Sequence, residues 1–307
     1  MMLARVADSL YWMGRYVERA EHACRLLDVM LNATLDRSEA AGRVTRIVLT
    51  ALGAAESADI GAYESATALA LDRTDGGSIT TSLARARENA RQVRDQITTE
   101  TWERLNLIHL RMTGVGATKG FADSPSTFLH DIIADLHLFK GAADATMSHG
   151  EGWRFLMLGV HLERAQLIGR LLEVCFGDRR ALDDHMALMN VLRMGCALEP
   201  YLRRFTADIQ PRKVLEFLLL DEEFPRSMRF CTARIEEHLG GAAQHAGGQV
   251  APERLAGRLR ARLQYADIDE VGDASGLLST VLDDCAAIHR AIYDTFVAYS
   301  LEMRLPA

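Results

Sequence analysis

Apolar residues near the start of the chain recur at alternating intervals of three and four: Leu10, Met13, Val17, Ala20, Cys24, Leu27 and Leu31. At about 100° per residue they fall on one stripe, which predicts a single long helix from about Leu3 to Leu35. Trp12, Tyr16 and Ala23 widen the apolar side, so the helix belongs inside a bundle. The pattern returns at Phe155, Leu158, Leu162, Ala165, Gly169, Leu172 and Phe176. Gly14, Glu18-Arg19-Ala20, Arg25-Leu26-Leu27 and Val29 are matched by Gly159, Glu163-Arg164-Ala165, Arg170-Leu171-Leu172 and Val174, always 145 residues later. Small residues at Ala20/Ala165 and Cys24/Gly169 are expected to let the two helices approach closely.

The remaining pattern is helical throughout. Arg43 to Leu71 reads as one or two helices interrupted near Asp59-Ile60-Gly61, followed by a turn from Asp72 to Gly77. Ser78 is placed to cap a helix running to Ile97. Another helix covers Thr99 to Met112, and the Gly/Ser/Asp-rich stretch Thr113–Ser124 reads as a loop. Ser124-Pro125 opens a helix to about Ser148. Helices are then expected from about Asp184 to Phe205, Pro211 to Leu220, Pro225 to Leu239 and Pro252 to Ile268, with a loop from Gly240 to Gly248. No segment alternates in the manner of a strand.

Two further correspondences, spaced by 149 residues, link the halves. Leu71-Asp72, Ser78-Ile79 and Ala84-Arg85 match Leu220-Asp221, Ser227-Met228 and Ala233-Arg234. Phe128, Leu129, Ile132, Ile133, Leu136 and Phe139 match Leu277, Leu278, Val281, Leu282, Cys285 and Ile288. The expected fold is therefore all-α: a helical bundle of two tandem-duplicated halves, 1–148 and 149–307. Their long helices pack about a pseudo-twofold axis, so that the halves form one body.

Composition narrows the function. The hydrophobic fraction is 49%, the charged fraction 25% and the net charge −7. A nucleic-acid binder carries a basic excess, so that class is disfavoured. No apolar run approaches the roughly 20 residues of a membrane span. Met1 to Gly14 contains Arg5 and Asp8 and does not read as a secretory signal. Cys24, Cys175, Cys196, Cys231 and Cys285 form no C-x-x-C pair and read as small buried hydrophobes in a reducing compartment. A cytoplasmic location is expected.

The chemistry sits on the doubled helix. Tyr11, Glu18 and Arg25 are seven apart and share a face, with Arg15 and His22 beside Glu18 and Glu21 four residues before Arg25. Glu163 and Arg170 occupy the equivalent face of the second copy. Charges between apolar flanks imply a polar channel, and buried charges must be paired, so Glu18 and Glu163 are each expected to meet an arginine. Two readings stay open. The Glu18-Arg19 and Glu163-Arg164 pairs fix helix register. Otherwise they build a carboxylate or anion site, with Tyr11, Arg15, Arg19, Arg25, Arg164 and Arg170 binding and Glu18 and Glu163 serving as general base or amine acceptor.

Other chemistries lack their residues. Glu18 and His22 are four apart, and Leu167 stands at the second-copy position of His22, unlike a di-iron bundle. His130, His137, His149 and His161 have no H-E-x-x-H spacing and read as capping, surface or core residues. Phosphate-loop, dinucleotide and G-x-S-x-G motifs are missing. Asp221-Glu222-Glu223 reads as a solvated turn, and Trp153 and Phe155 as core anchors. No metal and no cofactor is expected.

The doubled Glu-Arg motif resembles the alpha-E family. So do Trp102-Glu103-Arg104-Leu105-Asn106, the stretch Met147 to Phe155 leading into Gly159, and Phe217 to Ser227 with Pro225-Arg226-Ser227. The resemblance covers nearly the whole chain. It implies an all-helical protein of a kind found beside circularly permuted ATP-grasp ligases and transglutaminase-like proteins, and proposed to act with them in making amide or peptide bonds. Gly76-Gly77-Ser78 departs from the Pro-containing turn kept at Pro225-Arg226-Ser227. Glu236-Glu237-His238 departs from the pattern kept at Arg87 to Arg91, so a site built on both halves is asymmetric. The expected role is a helical partner of an ATP-dependent ligase. The rivals are an enzyme acting alone in transfer or hydrolysis, and a non-catalytic scaffold.

Overall fold

The long helix α1 (Ala4–Thr34) crosses its counterpart α8 (Glu151–Phe176) at the centre of the molecule. The structure is a computed structural model and describes residues 2–35, 39–54, 61–177, 184–243, 250–268 and 274–298. Among these, every regular element is helical. α2 (Glu39–Leu52), α3 (Ala62–Leu71), α4 (Ile79–Gln92), α5 (Thr99–Thr113), α6 (Ala117–Asp123) and α7 (Pro125–Thr146) lie between the long helices. α9 (His185–Met194), α10 (Leu198–Phe205), α11 (Pro211–Leu220), α12 (Met228–Ala243), α13 (Ala251–Gln264) and α14 (Ala274–Ile292) follow, ending in a π-helical turn, Tyr293–Val297. No described helix is long and apolar enough to cross a membrane.

The predicted stripes of α1 and α8 are buried along their whole length, from Leu10 to Leu31 and from Phe155 to Phe176. The crossing is set by glycine. A Cβ on Gly14 would lie 2.1 Å from the Leu156 carbonyl oxygen, and a Cβ on Gly159 2.0 Å from the Tyr11 carbonyl oxygen. The helices therefore meet backbone to backbone, each glycine facing the residue three before the other. Closest approach is not at Ala20/Ala165 and Cys24/Gly169 as expected. A Cβ on Gly169 would meet the side chains of Leu282 and Met228 instead. α4 and α7 pack on α1, and α12 and α14 on α8.

Caps fix the surrounding helices where the sequence placed them. Ser78 Oγ accepts from Thr81 N at 3.1 Å and donates to the Asp72 carbonyl. Ser227 Oγ accepts from Phe230 N at 3.0 Å and donates to the Asp221 carbonyl. Each satisfies an orphan amide of a first helical turn.

Several expectations are corrected. Thr113–Ser124 is not all loop, because Ala117 and Phe121 are buried one turn apart and seat α6, with Phe121 against Phe128. Asp184 to Phe205 is two helices, broken where Cys196 takes a left-handed backbone (φ 55°) and Ala197 N bonds back to the Leu192 carbonyl. α4 ends at Gln92, five residues before Ile97, as Val93 leaves helical geometry. α12 starts at Met228 and runs on through Gly240 and Gly241, where the missing side chain makes room for the Arg154 guanidinium. Residues 244–248 of the expected loop, and Asp59-Ile60 of the expected interruption, lie outside the described residues. Asp221 is buried rather than solvated: its Oδ1 accepts from Glu223 N (2.9 Å) and Phe224 N (2.7 Å).

Candidate functional site

One turn beyond the glycine crossing, the doubled Glu-Arg pairs meet reciprocally. Glu18 accepts from Arg164 Nε (2.7 Å) and Nη2 (2.8 Å), a two-pronged pair. Glu163 accepts from Arg19 Nε (2.7 Å) and from Arg15 Nε (2.5 Å). Each long helix thus supplies a carboxylate to the other's arginine, at the depth where Gly14 and Gly159 allow the backbones to touch. Glu18 is 0% and Glu163 3% exposed.

Around Glu18 the network widens. Lys140, from α7, bonds Glu18 and also Glu21, the latter at 2.5 Å. Arg226, from the turn before α12, bonds Glu21 and lies 3.4 Å from Glu18. Glu21 also accepts from Arg25 Nη2 at 2.8 Å, and His137 Nε2 stands 3.2 Å away. The Arg164 Nη1 donates to the Pro225 carbonyl at 3.1 Å, tying α8 to the same turn. On the Glu163 side, Arg15 bonds Gln166 Oε1 (2.5 Å) and the Tyr11 hydroxyl (3.2 Å). His289 Nδ1 lies 2.8 Å from that hydroxyl and 3.0 Å from Arg15 Nη1, and Arg15 also lies over the Trp12 ring.

Electrostatics follow from burial and pairing. Burial pushes the Glu18 carboxyl up, but Arg164, Lys140 and Arg226 outweigh it and hold the group well below the ordinary carboxylate range. Glu21 is lowered likewise by Lys140 and Arg226, and Glu163 by Arg15 and Arg19, each against its own desolvation. Burial also keeps His22 neutral, its pKa near 4, with Arg226 adding to the effect. In this arrangement both oxygens of Glu18 and both of Glu163 are buried and engaged by cations.

The polar interior is therefore an ion-pair network with buried carboxylates, reaching the surface through Arg19, Arg25, Lys140 and His137. Open space begins where it ends. A cleft of about 620 Å³ lies between α1, α2, α7, α9 and α10, with Arg25, Asp28, His130 and His137 on its wall. Arg25 belongs to both the network and the cleft. His130 Nε2 meets Asp28 Oδ2 at 2.9 Å one turn further along. Half-buried Cys196, in its left-handed conformation, lines the same cleft.

Tyr11, Arg15, Glu18, Arg19, Arg25, Glu163 and Arg164 are thus brought into one contiguous cluster. Arg170 is not. It occupies the register of Arg25, but Arg25 is held by Glu21 four residues before it, and the matching residue in α8 is Gln166. Lacking that carboxylate, Arg170 is exposed. Sequence reasoning missed Lys140, Gln166 and His289 as members. A single lysine one residue past buried Phe139 was the available signal for Lys140. Among the described residues, no group of three or more His, Cys, Asp or Glu side chains is arranged to hold a metal ion.

Uncharacterized proteins of Mycobacterium bovis and of two Mycobacterium tuberculosis strains are each 27% identical over 335 aligned positions, which cover 98% of this chain. The chain spans only 37% of the length of these relatives. No solved structure matches it. The model of the alpha-E family, described as "a predicted alpha-helical domain with a conserved ER motif", matches residues 2–297. The chain has two Glu-Arg dipeptides, Glu18-Arg19 and Glu163-Arg164, that pair reciprocally between the long helices, and it belongs to the alpha-E family.

Proposed function

We propose that this chain is the helical partner of an ATP-dependent system that forms amide or peptide bonds. The bond-forming partner is a circularly permuted ATP-grasp ligase, with a transglutaminase-like protein as a further associate, in the cytoplasm. The observation that carries the reading is the continuity between a rigid buried Glu/Arg network and an open cleft through one side chain, Arg25. The network fixes α1 against α8, and α7 against α1. Arg25, Lys140 and the cleft wall are then presented at a defined geometry for an acceptor or carrier. The length of the mycobacterial relatives supports a module that works beside other protein mass.

The two halves, 1–148 and 149–307, are read as a tandem duplication packed as one body about a pseudo-twofold axis. Three features support it: the exchanged Glu-Arg pairs, the exchanged Gly14 and Gly159 contacts, and the matching Ser78 and Ser227 caps over Asp72 and Asp221. Glu18 and Glu163 serve as positioning groups in this scheme, and Tyr11, Arg15, Arg19 and Arg164 hold them.

Co-purification with the ATP-grasp ligase and an assay of ATP-dependent amide formation test the reading. Amide formation should require this chain and should fall with Arg25→Gln. Full activity of the ligase without it would end the proposal. A scaffold without a site is favoured by one observation, the complete burial of Glu18 and Glu163. In that case Glu18→Gln, Glu163→Gln and Arg25→Gln would all leave activity per folded molecule unchanged.

A further inference from the structure

We propose that the cleft between α1, α2, α7, α9 and α10 binds a small apolar amino acid by its carboxylate, with Arg25 as the anchor. This names a substrate class for the site described above, and it rests on the proposed function only for its place in an amide-forming sequence. The volume, about 620 Å³, falls within the range of small-molecule sites.

Three properties of the cleft select the ligand. The first is the charge beneath its floor. Arg25, Lys140, Arg164 and Arg226 converge on only two carboxylates, Glu18 and Glu21. A single oxygen, Glu21 Oε1, takes Arg25 and Arg226 and stands within reach of His137. The buried Arg226 Nη1 makes no hydrogen bond and has only a long 3.4 Å ion pair, to Glu18 Oε1. Acceptors are therefore in short supply, and the uncompensated positive charge reaches the cleft at Arg25, whose side chain is 14% exposed. A carboxylate placed there supplies the missing acceptor in a partly desolvated setting, where charge-assisted hydrogen bonds are strongest. The second property is apolar wall: Val29, Val44, Ile133 and Met186 offer contact to an aliphatic side chain. The third is a pair of acidic side chains, Asp28 and Glu199, on the same lining. Asp28 is already held by His130 (2.9 Å) and Asn32 (3.1 Å), so the exposed Glu199 is the one that receives an ammonium group, and the zwitterion is tolerated.

Alternatives fit less well. Inorganic phosphate would answer the charge and leave the apolar wall wet. An amine lacking a carboxylate would leave the guanidiniums of Arg25 and Arg193 on the lining without an acceptor from the ligand.

Isothermal titration of the purified chain alone, at neutral pH, decides the matter with four probes: L-leucine, N-acetyl-L-leucine, L-leucinamide and inorganic phosphate. Both carboxylates should bind saturably. Leucinamide and phosphate should each bind at least about tenfold more weakly. Arg25→Gln should weaken leucine binding by about tenfold or more. Because Arg25 also pairs with Glu21, a second variant is needed: Ala134→Trp, at an exposed cleft position, should fill the space and abolish binding with an unchanged circular-dichroism melt. The proposal is overturned if leucinamide or phosphate binds as tightly as leucine. Full affinity in Ala134→Trp would overturn it as well, as would failure of either carboxylate to saturate by about 10 mM. No ligase is present, so failure here leaves the partnership standing. Conversely, loss of the partnership leaves this binding intact.

Discussion

Replacing Gly14 with alanine tests how the two long helices are held. The new methyl would lie 2.1 Å from the Leu156 carbonyl oxygen and 3.0 Å from Val160 N, both backbone atoms of α8. An ordinary carbon–oxygen contact is about 3.3 Å or more, so α8 must retreat by roughly 1 Å. Overpacking of this kind costs about 1–3 kcal/mol, and the upper end applies because no flexible side chain can yield. Alanine returns about 1 kcal/mol in helix propensity. The retreat also pulls at the Glu18–Arg164 pair one turn away, whose geometry tolerates little separation. A net loss of about 2 kcal/mol or more is expected. Gly159→Ala should behave alike, and the double variant should cost less than the sum, since the first displacement makes room for the second. Gly141→Ala is the control: it is an exposed mid-helix glycine whose added Cβ meets nothing within 4 Å. It should gain up to about 1 kcal/mol. Urea denaturation with a constant m-value reads all four. If Gly14→Ala were stabilised like Gly141→Ala, the backbone-contact argument would be refuted.

Stability should fall with pH in two stages. His22 and His238 titrate near 4 and His161 well below 6.5, because burial disfavours their charged forms, so their contribution is present above about 6.5 and is lost as pH drops toward 4. Glu18, Glu21 and Glu163 titrate below 4.5 in the folded state and add a steeper loss below that pH, so a melting temperature that stayed flat from 6.5 to 4.5 would contradict the histidine argument. Brief iodoacetamide treatment of the native protein should alkylate Cys196 alone: Cys24, Cys175, Cys231 and Cys285 are buried, with thiols raised to about 12 or beyond. Peptide mass spectrometry showing equal labelling of Cys24 would disprove that. Thr206 is an exposed, β-branched residue at φ 57°, ψ −145°, a region suited to glycine. Thr206→Gly should therefore raise stability by about 1 kcal/mol in the same urea assay, and a loss would refute the strain argument.

The doubled motif was legible because charges recurring at one register of an otherwise apolar helix have few places to go. Their mutual pairing followed from the cost of burying them alone. What pairs with them from other helices was not legible, since Lys140 on α7 and His289 on α14 are brought in by tertiary packing that no local period encodes. Arg170 misled because its register equals that of Arg25, while its fate was decided by Gln166 standing where Glu21 stands. The matched Gly14 and Gly159 were visible, but close approach was assigned to Ala20/Ala165 and Cys24/Gly169, about two and three turns further on. Helical period alone does not say where along a stripe two backbones cross. α6 went unseen because it is held by two buried side chains, Ala117 and Phe121, among glycine and polar residues.

The most direct test of the reciprocal lock is a double-mutant cycle on Glu18→Gln and Arg164→Gln, followed by urea denaturation. Each single change strands buried charge and should cost about 3–5 kcal/mol. The double variant should cost at least about 2 kcal/mol less than the sum of the two. Additivity within about 0.5 kcal/mol would mean that the two side chains do not act on each other, and that α1 and α8 are held together by something else.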